Sequence, residues 1–122
     1  MKRALGKATE TELRDEFIKI CLEQENTDYD FEIEKNNQLY QKMAAVVDEL
    51  KRRPGDGRHL LLPLFEHESL QVRLRAAKNA FALDPVGARR VLQWLRETRP
   101  DHYGMDAGTM LALIDAGYFT PA

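Results

Sequence analysis

One cysteine in 122 residues, Cys21, means that no disulfide within the chain can staple the fold, so stability has to come from a packed interior. Cys21 falls on the apolar side of a helical pattern with Leu13, Phe17 and Ile20 and reads as a small buried hydrophobe. Aromatic residues make up 8% of the chain, with a single tryptophan, and the net charge is −2; both argue against a protein built chiefly to hold nucleic acid. No apolar run approaches the roughly 20 residues of a membrane span, and the opening MKRALGKATETELRDEF lacks the apolar core of a signal peptide. The expectation is a cytoplasmic protein without membrane contact. There is also no glycine-rich phosphate loop, no nucleophile elbow and no His-Glu-x-x-His spacing. The three histidines, His59, His67 and His102, are scattered so that no two share a helix face at ligand spacing. No catalytic residue, no metal and no cofactor is expected, and Ser69, the one central serine, serves best as a helix cap.

What the chain does have is helical periodicity. Thr9-x-x-Glu12 has the form of a capping box, and the helix it opens should end around residues 25–28, where Asn26, Thr27 and Asp28 supply turn chemistry. Asp28 or Asp30 is expected to cap a second helix that carries Leu39, Met43, Val46, Val47 and Leu50 on one face and stops at Pro54-Gly55-Asp56-Gly57. A third helix runs over Arg58–His67 with Pro63 inside it, which predicts a kink or a late start. A fourth runs from Ser69 to Leu83, and Asp84-Pro85 opens a fifth with Ala88, Val91, Leu92 and Leu95 inward. Asp106 is expected to cap a last helix that ends at Gly117. No segment alternates with period two for long enough to be a strand.

The stretch from Leu60 to Pro85 is the most telling. At roughly 100° per residue, Leu70, Leu74, Ala77 and Phe81 form one stripe and Val72, Ala76, Ala80 and Leu83 a second beside it, so this helix should be sandwiched between neighbours. Gln71, Arg75, Lys78 and Asn79 project to solvent. Arg73 projects between the apolar stripes, where a guanidinium must find carboxylates or carbonyls; Asp84, Glu66 and helix-end carbonyls are its expected partners, and it should be mostly buried. Asn36 projects onto the arc of Met43, Val47 and Leu50 and is expected to be a buried amide tying the second helix to the first or to a loop.

The run LLPLFEHESLQVRLRAAKNAFAL resembles a HEAT repeat: a first helix ends at a short acidic turn, and the second opens with a Val-Arg pair, Val72-Arg73, followed by the small residues Ala76, Ala77 and Ala80. From Asn37 onward, KMAAVVDELKRRPGD, LLPLFEHESLQVRLRAA and DAGTMLALIDAGYFTP are similar to a family of small bacterial proteins classed as the domain of unknown function numbered twenty-nineteen. The resemblance implies a short HEAT-like α-α superhelix and, from the gene neighbourhoods of some members, immunity to polymorphic toxins; it implies no catalytic residue. The expected fold is therefore all-α, about six helices in three stacked antiparallel hairpins, forming one domain over residues 1–122 with 1–8 frayed.

Charge is unevenly spread. Residues 10–35 hold ten acidic and three basic side chains, while 51–99 hold eleven basic and five acidic. Arg75, Lys78, Arg89, Arg90 and Arg96 are expected to merge into one electropositive face, with Trp94 at its margin, that presents to an acidic protein partner. A non-catalytic protein-binding module is the reading this supports. A nucleic-acid-binding module using the same basic face is the alternative.

Overall fold

The structure is a computed structural model that describes residues 4–30 and 32–122, the side chains of 28–30 excepted. Among the described residues all regular structure is helical: α1 (Glu10–Asp30), α2 (Ile33–Arg52), α3 (Leu70–Asn79), α4 (Pro85–Thr98) and α5 (His102–Asp115), with a long 3₁₀-helix over Gly57–Glu66 and short 3₁₀ turns at Leu5–Lys7 and Phe81–Leu83. The chain divides into two compact units, Met1–Leu60 and Leu61–Ala122.

In the first unit α1 and α2 form an antiparallel hairpin whose two ends are tied by different chemistry. The capping box forms as the spacing predicts: the Thr9 amide donates to Glu12 at 2.9 Å, and the Glu12 amide to the Thr9 hydroxyl at 3.0 Å. Leu13, Phe17, Ile20 and Cys21 of α1 pack on Leu39, Met43, Val46, Val47 and Leu50 of α2, all buried. At the closed end the Asn36 side chain lies 3.0 Å from the Thr27 hydroxyl, so Asn36 does tie the second helix to the first, although it is half-buried. Thr27 is accordingly a buried helical residue and not part of a turn, and α1 runs on through Asp30. The capping role expected of Asp28 or Asp30 rests on side chains outside the described residues; the N-cap position of α2 is Glu32, which makes no capping bond. At the open end Arg53 donates to the carbonyls of Leu5 and Ala8 at 3.0 and 2.7 Å, and Ala8 is buried. Of the segment expected to fray, residues 1–3 lie outside the described residues, while Leu5 and Ala8 are tied to the hairpin by a guanidinium that satisfies carbonyls otherwise needing water. After α2, Asp56 takes a left-handed φ of 62° and grips Arg58 with both carboxylate oxygens, at 3.0 and 2.7 Å.

The Gly57–Glu66 segment differs from the α-helix expected there. Pro63 has no amide to donate, and the run adopts 3₁₀ geometry, in which residues three apart eclipse. Leu61 and Leu64 therefore share the buried edge, and Leu62 and Phe65 the adjacent one.

In the second unit Ser69 caps α3, accepting from the Val72 amide at 3.3 Å, and Asp84 caps α4, accepting from Gly87 at 3.0 Å with Pro85 at the first helical position. The α-helix of residues 70–79 stops short of Leu83, and a 3₁₀ turn carries the chain to Asp84. The last helix starts five residues earlier than expected: Asp101 caps α5, accepting from Tyr103 at 3.2 Å. Asp106 is inside the helix and free for other work. α4 and α5 form an antiparallel pair so close at their connection that a Cβ on Gly104 would stand 1.8 Å from the Arg99 carbonyl oxygen and 2.9 Å from that of Leu95. The core here is built of small and branched residues, Ala76, Ala77, Ala80, Ala88, Leu92, Leu95, Ala107 and Leu111, all fully buried.

Gly104→Ala should cost about 3 kcal/mol, because backbone has to move. Gly87→Ala should cost only about 1 kcal/mol, since the atom in the way is the carboxylate of the Asp84 cap. Urea unfolding of the two variants checks the order. A second expectation concerns pH. Arg58, bonded to Asp56, holds that carboxyl below its ordinary range. A group whose pKa is depressed by folding contributes stability in full above its unfolded value, and loses it as the pH falls through the folded one. The thermal midpoint should therefore drop on acidification below about pH 4. Asp56→Asn, which tolerates the same backbone, should start lower at neutral pH and lose less over that interval.

Candidate functional site

Two edges and a helix stripe make the groove that gathers several of the residues singled out by the sequence. The 3₁₀-helix supplies Leu62, the buried Phe65 and the exposed Glu66; α4 supplies Gly87, Arg90, Val91 and Trp94, spaced so that one face presents all of them; Arg73 of α3 and the capping Asp84 close the inner end. The cavity measures about 410 Å³.

Arg73 is the organising side chain. Its Nε donates to the His67 carbonyl, at the point where the 3₁₀-helix gives way to α3, and its guanidinium lies over the Trp94 ring, 5.3 Å from the centroid. The carbonyl partner is the kind expected, and Arg73 is of intermediate burial: one side of the guanidinium faces the groove and Trp94 covers the other. His67 is itself committed, its Nδ1 accepting from the Ser69 amide at 3.0 Å. Trp94 is 43% exposed, enough to offer a ring edge to a ligand while its face is held by Arg73. Arg90 and Glu66 are exposed on the groove and make no ion pair among the described residues.

The continuous electropositive face does not form. Arg75 and Lys78 converge on Asp106 at 2.9 and 2.6 Å, and Arg89 pairs with Asp115 at 2.8 Å. The cause is the packing of α5 against α3 and α4, which brings its two aspartates to the cations. Arg89 and, at longer range, Arg96 hold the Asp115 carboxyl below its ordinary range. Arg75, expected on the solvent face of α3, is only 12% exposed at its side chain, and Gln71 on the same side is fully buried. Of the expected partner surface, Arg90 and Trp94 line the groove, Arg96 is exposed beside α5, and Arg75, Lys78 and Arg89 are tied into the fold.

The remaining reactive side chains are also occupied. His59 Nδ1 lies 2.8 Å from the Asp56 carbonyl, His102 stacks on Tyr103 with centroids 4.0 Å apart, and Cys21 is buried. Among the described residues no group of three His, Cys, Asp or Glu side chains has the arrangement of a metal site. No helix of the described residues is long and apolar enough to cross a membrane. Phe65 and Leu62 were missed as groove residues by sequence reasoning. The signal that could have found them is Pro63, which sets the 3₁₀ period.

A family model described as "Domain of unknown function (DUF2019)" matches residues 11–115 of the chain. The crystal structure of the protein RPA1889 from Rhodopseudomonas palustris CGA009 is similar throughout: 40% sequence identity, a TM-score of 0.94, and an alignment covering 99% of this chain and 100% of that one. No curated protein matches the chain.

A half-buried arginine with one carbonyl and one ring as partners is worth less than a buried ion pair. Arg73→Ala should cost about 1–2 kcal/mol, and Arg73→Lys most of that, since a lysine cannot donate to His67 and stack on Trp94 in one geometry. Because Trp94 is the sole tryptophan, its emission maximum should shift in both variants. An unchanged emission would show that the stacking is not maintained in solution.

Proposed function

The chain belongs to the DUF2019 family of domains of unknown function, and we propose that it is a non-catalytic, HEAT-type protein-binding module whose Trp94 groove takes a short acidic segment of a partner protein. The observation that carries this reading is the combination of a preorganised cation–π pair, Arg73 on Trp94, with an exposed Arg90 that makes no ion pair among the described residues, on one groove of the second unit. Exposed Trp and Arg side chains held in place by packing are the residue types that anchor interfaces, because little conformational freedom is lost when they bind. Phe65, Leu62 and Val91 offer an apolar floor, and Arg90 offers a carboxylate its fork of donors.

The engagement of Arg75, Lys78 and Arg89 with carboxylates weighs against nucleic acid, whose binding needs uncompensated cations along a face. The family resemblance favours a toxin as the partner and the bacterial cytoplasm as the place.

The test is a tryptophan-emission titration of the full chain with proteins recovered from the native bacterium by affinity capture, beginning with products of adjacent genes. A binding partner should perturb Trp94. Arg90→Glu should weaken its binding about tenfold or more, and raising the salt should weaken wild-type binding. Substituting His59, His102 or Cys21 should leave binding near wild type where the fold survives. Binding that is indifferent to Arg90→Glu and Trp94→Ala places the partner elsewhere.

A further inference from the structure

The turn between the 3₁₀-helix and α3 carries a chain of hydrogen bonds that ends on the groove. The Ser69 amide donates to Nδ1 of His67 at 3.0 Å, and the Ser69 hydroxyl accepts from the Val72 amide in the first turn of α3. The carbonyl of the same His67 accepts from Nε of Arg73, whose guanidinium lies over the Trp94 ring, 5.3 Å from its centroid. A backbone amide can only donate, so Nδ1 must present its lone pair, and an imidazole in this arrangement is neutral with its proton on Nε2. His67 thus closes the turn with its side chain and holds the arginine with its main chain. The charged groups about it are Glu66 and Glu68, exposed on either side in the chain, Arg73 from α3, and Asp84 and Arg90 on the α4 side of the groove.

We propose that His67 is the positioning residue of the Trp94 groove, and that its protonation releases Arg73 from Trp94, so that the groove keeps its binding geometry at neutral pH and gives it up in mild acid. The consequence for binding rests on the reading of the groove as a docking site, while the release itself belongs to the free chain. A protonated Nδ1 turns an N–H toward the Ser69 N–H, and two donors at hydrogen-bond distance repel. The ring has to swing away, and the exposed carboxylates of Glu66 and Glu68 favour the outward direction. The turn over residues 67–69 then loses the bond that closes it. The peptide bearing the His67 carbonyl lies inside that turn, so the acceptor that aims Arg73 is loosened at the same time. A cation aimed at an aromatic face through one hydrogen bond leaves the face when that bond is no longer fixed in place.

Emission from Trp94, the sole tryptophan, tests this on the full chain without any partner, recorded from about pH 8 to about pH 5, the interval in which imidazoles change charge. The expected result is a single step that starts from the stacked state and ends at the emission maximum of Arg73→Ala; Arg73→Ala itself should show no step. His67→Asn keeps an acceptor for the Ser69 amide, since an asparagine side chain bonds the backbone two residues on, and it cannot be protonated. It should hold the neutral emission across the whole interval. His67→Ala, which has no acceptor, should give the acid emission at every pH, and should it fold poorly His67→Asn decides alone. His102→Gln should keep the wild-type step. A flat wild-type profile overturns the proposal, and so does a step that survives in His67→Asn or is lost in His102→Gln. The docking role of the groove fails separately, on a partner that binds Trp94→Ala as well as it binds the wild type.

Discussion

The second unit depends on how closely α5 approaches the end of α4. At Gly104 the two backbones leave no room for a Cβ, and this contact sets both the angle and the register of the hairpin. Given that register, Asp106 arrives between Arg75 and Lys78, and Asp115 arrives beside Arg89. Three cations are thereby paired with carboxylates without any change in composition. The same register decides which stripe of α5 is buried and which is left outside. A glycine position that looks like a minor feature of the chain therefore governs the electrostatics of one face and the hydrophobicity of another.

Charge counted along the chain could not have anticipated this. The basic excess of residues 51–99 is real, but its neutralising carboxylates, Asp106 and Asp115, lie just beyond that window on the next helix. Sequence distance is a poor proxy for the few ångströms over which two charges matter near a protein surface, and only the packing of α5 brings the groups together. The neighbouring cation Arg90 keeps its exposure: it lines the groove beside the 3₁₀-helix and makes no ion pair among the described residues.

Features with local causes were legible in advance. Thr9 with Glu12, Ser69, and Asp84 with Pro85 each satisfy amide donors within three residues, so side-chain identity was enough to locate the helix starts. The start of α5 was misplaced for the same kind of reason: Asp101 and Asp106 are both good caps, and the choice between them depends on the Gly104 contact with α4. The buried faces of α1 and α2 followed from periodicity, and so did the tie between Asn36 and the first helix. Arg73 was recognised as out of place among apolar neighbours. Its aromatic partner was not recognised, because Trp94 is twenty-one residues away on a different helix. The 3₁₀ character of Gly57–Glu66 was half visible: Pro63 forbids a regular α-helix, but proline alone does not say whether the chain kinks or tightens.

Two surfaces of the second unit are opposite in chemistry, and this bears on how each would act. The groove offers an aromatic ring and an exposed guanidinium, so an association there would be fast, salt-sensitive and selective for charge. The outer stripe of α5, where Met105 and Leu113 are exposed, offers apolar side chains, so an association there would be insensitive to salt and governed by shape and concentration. They share α4 and α5 as a rigid frame. Salt therefore separates the two: a partner seated in the groove loses affinity as salt rises, and one seated on the outer stripe does not.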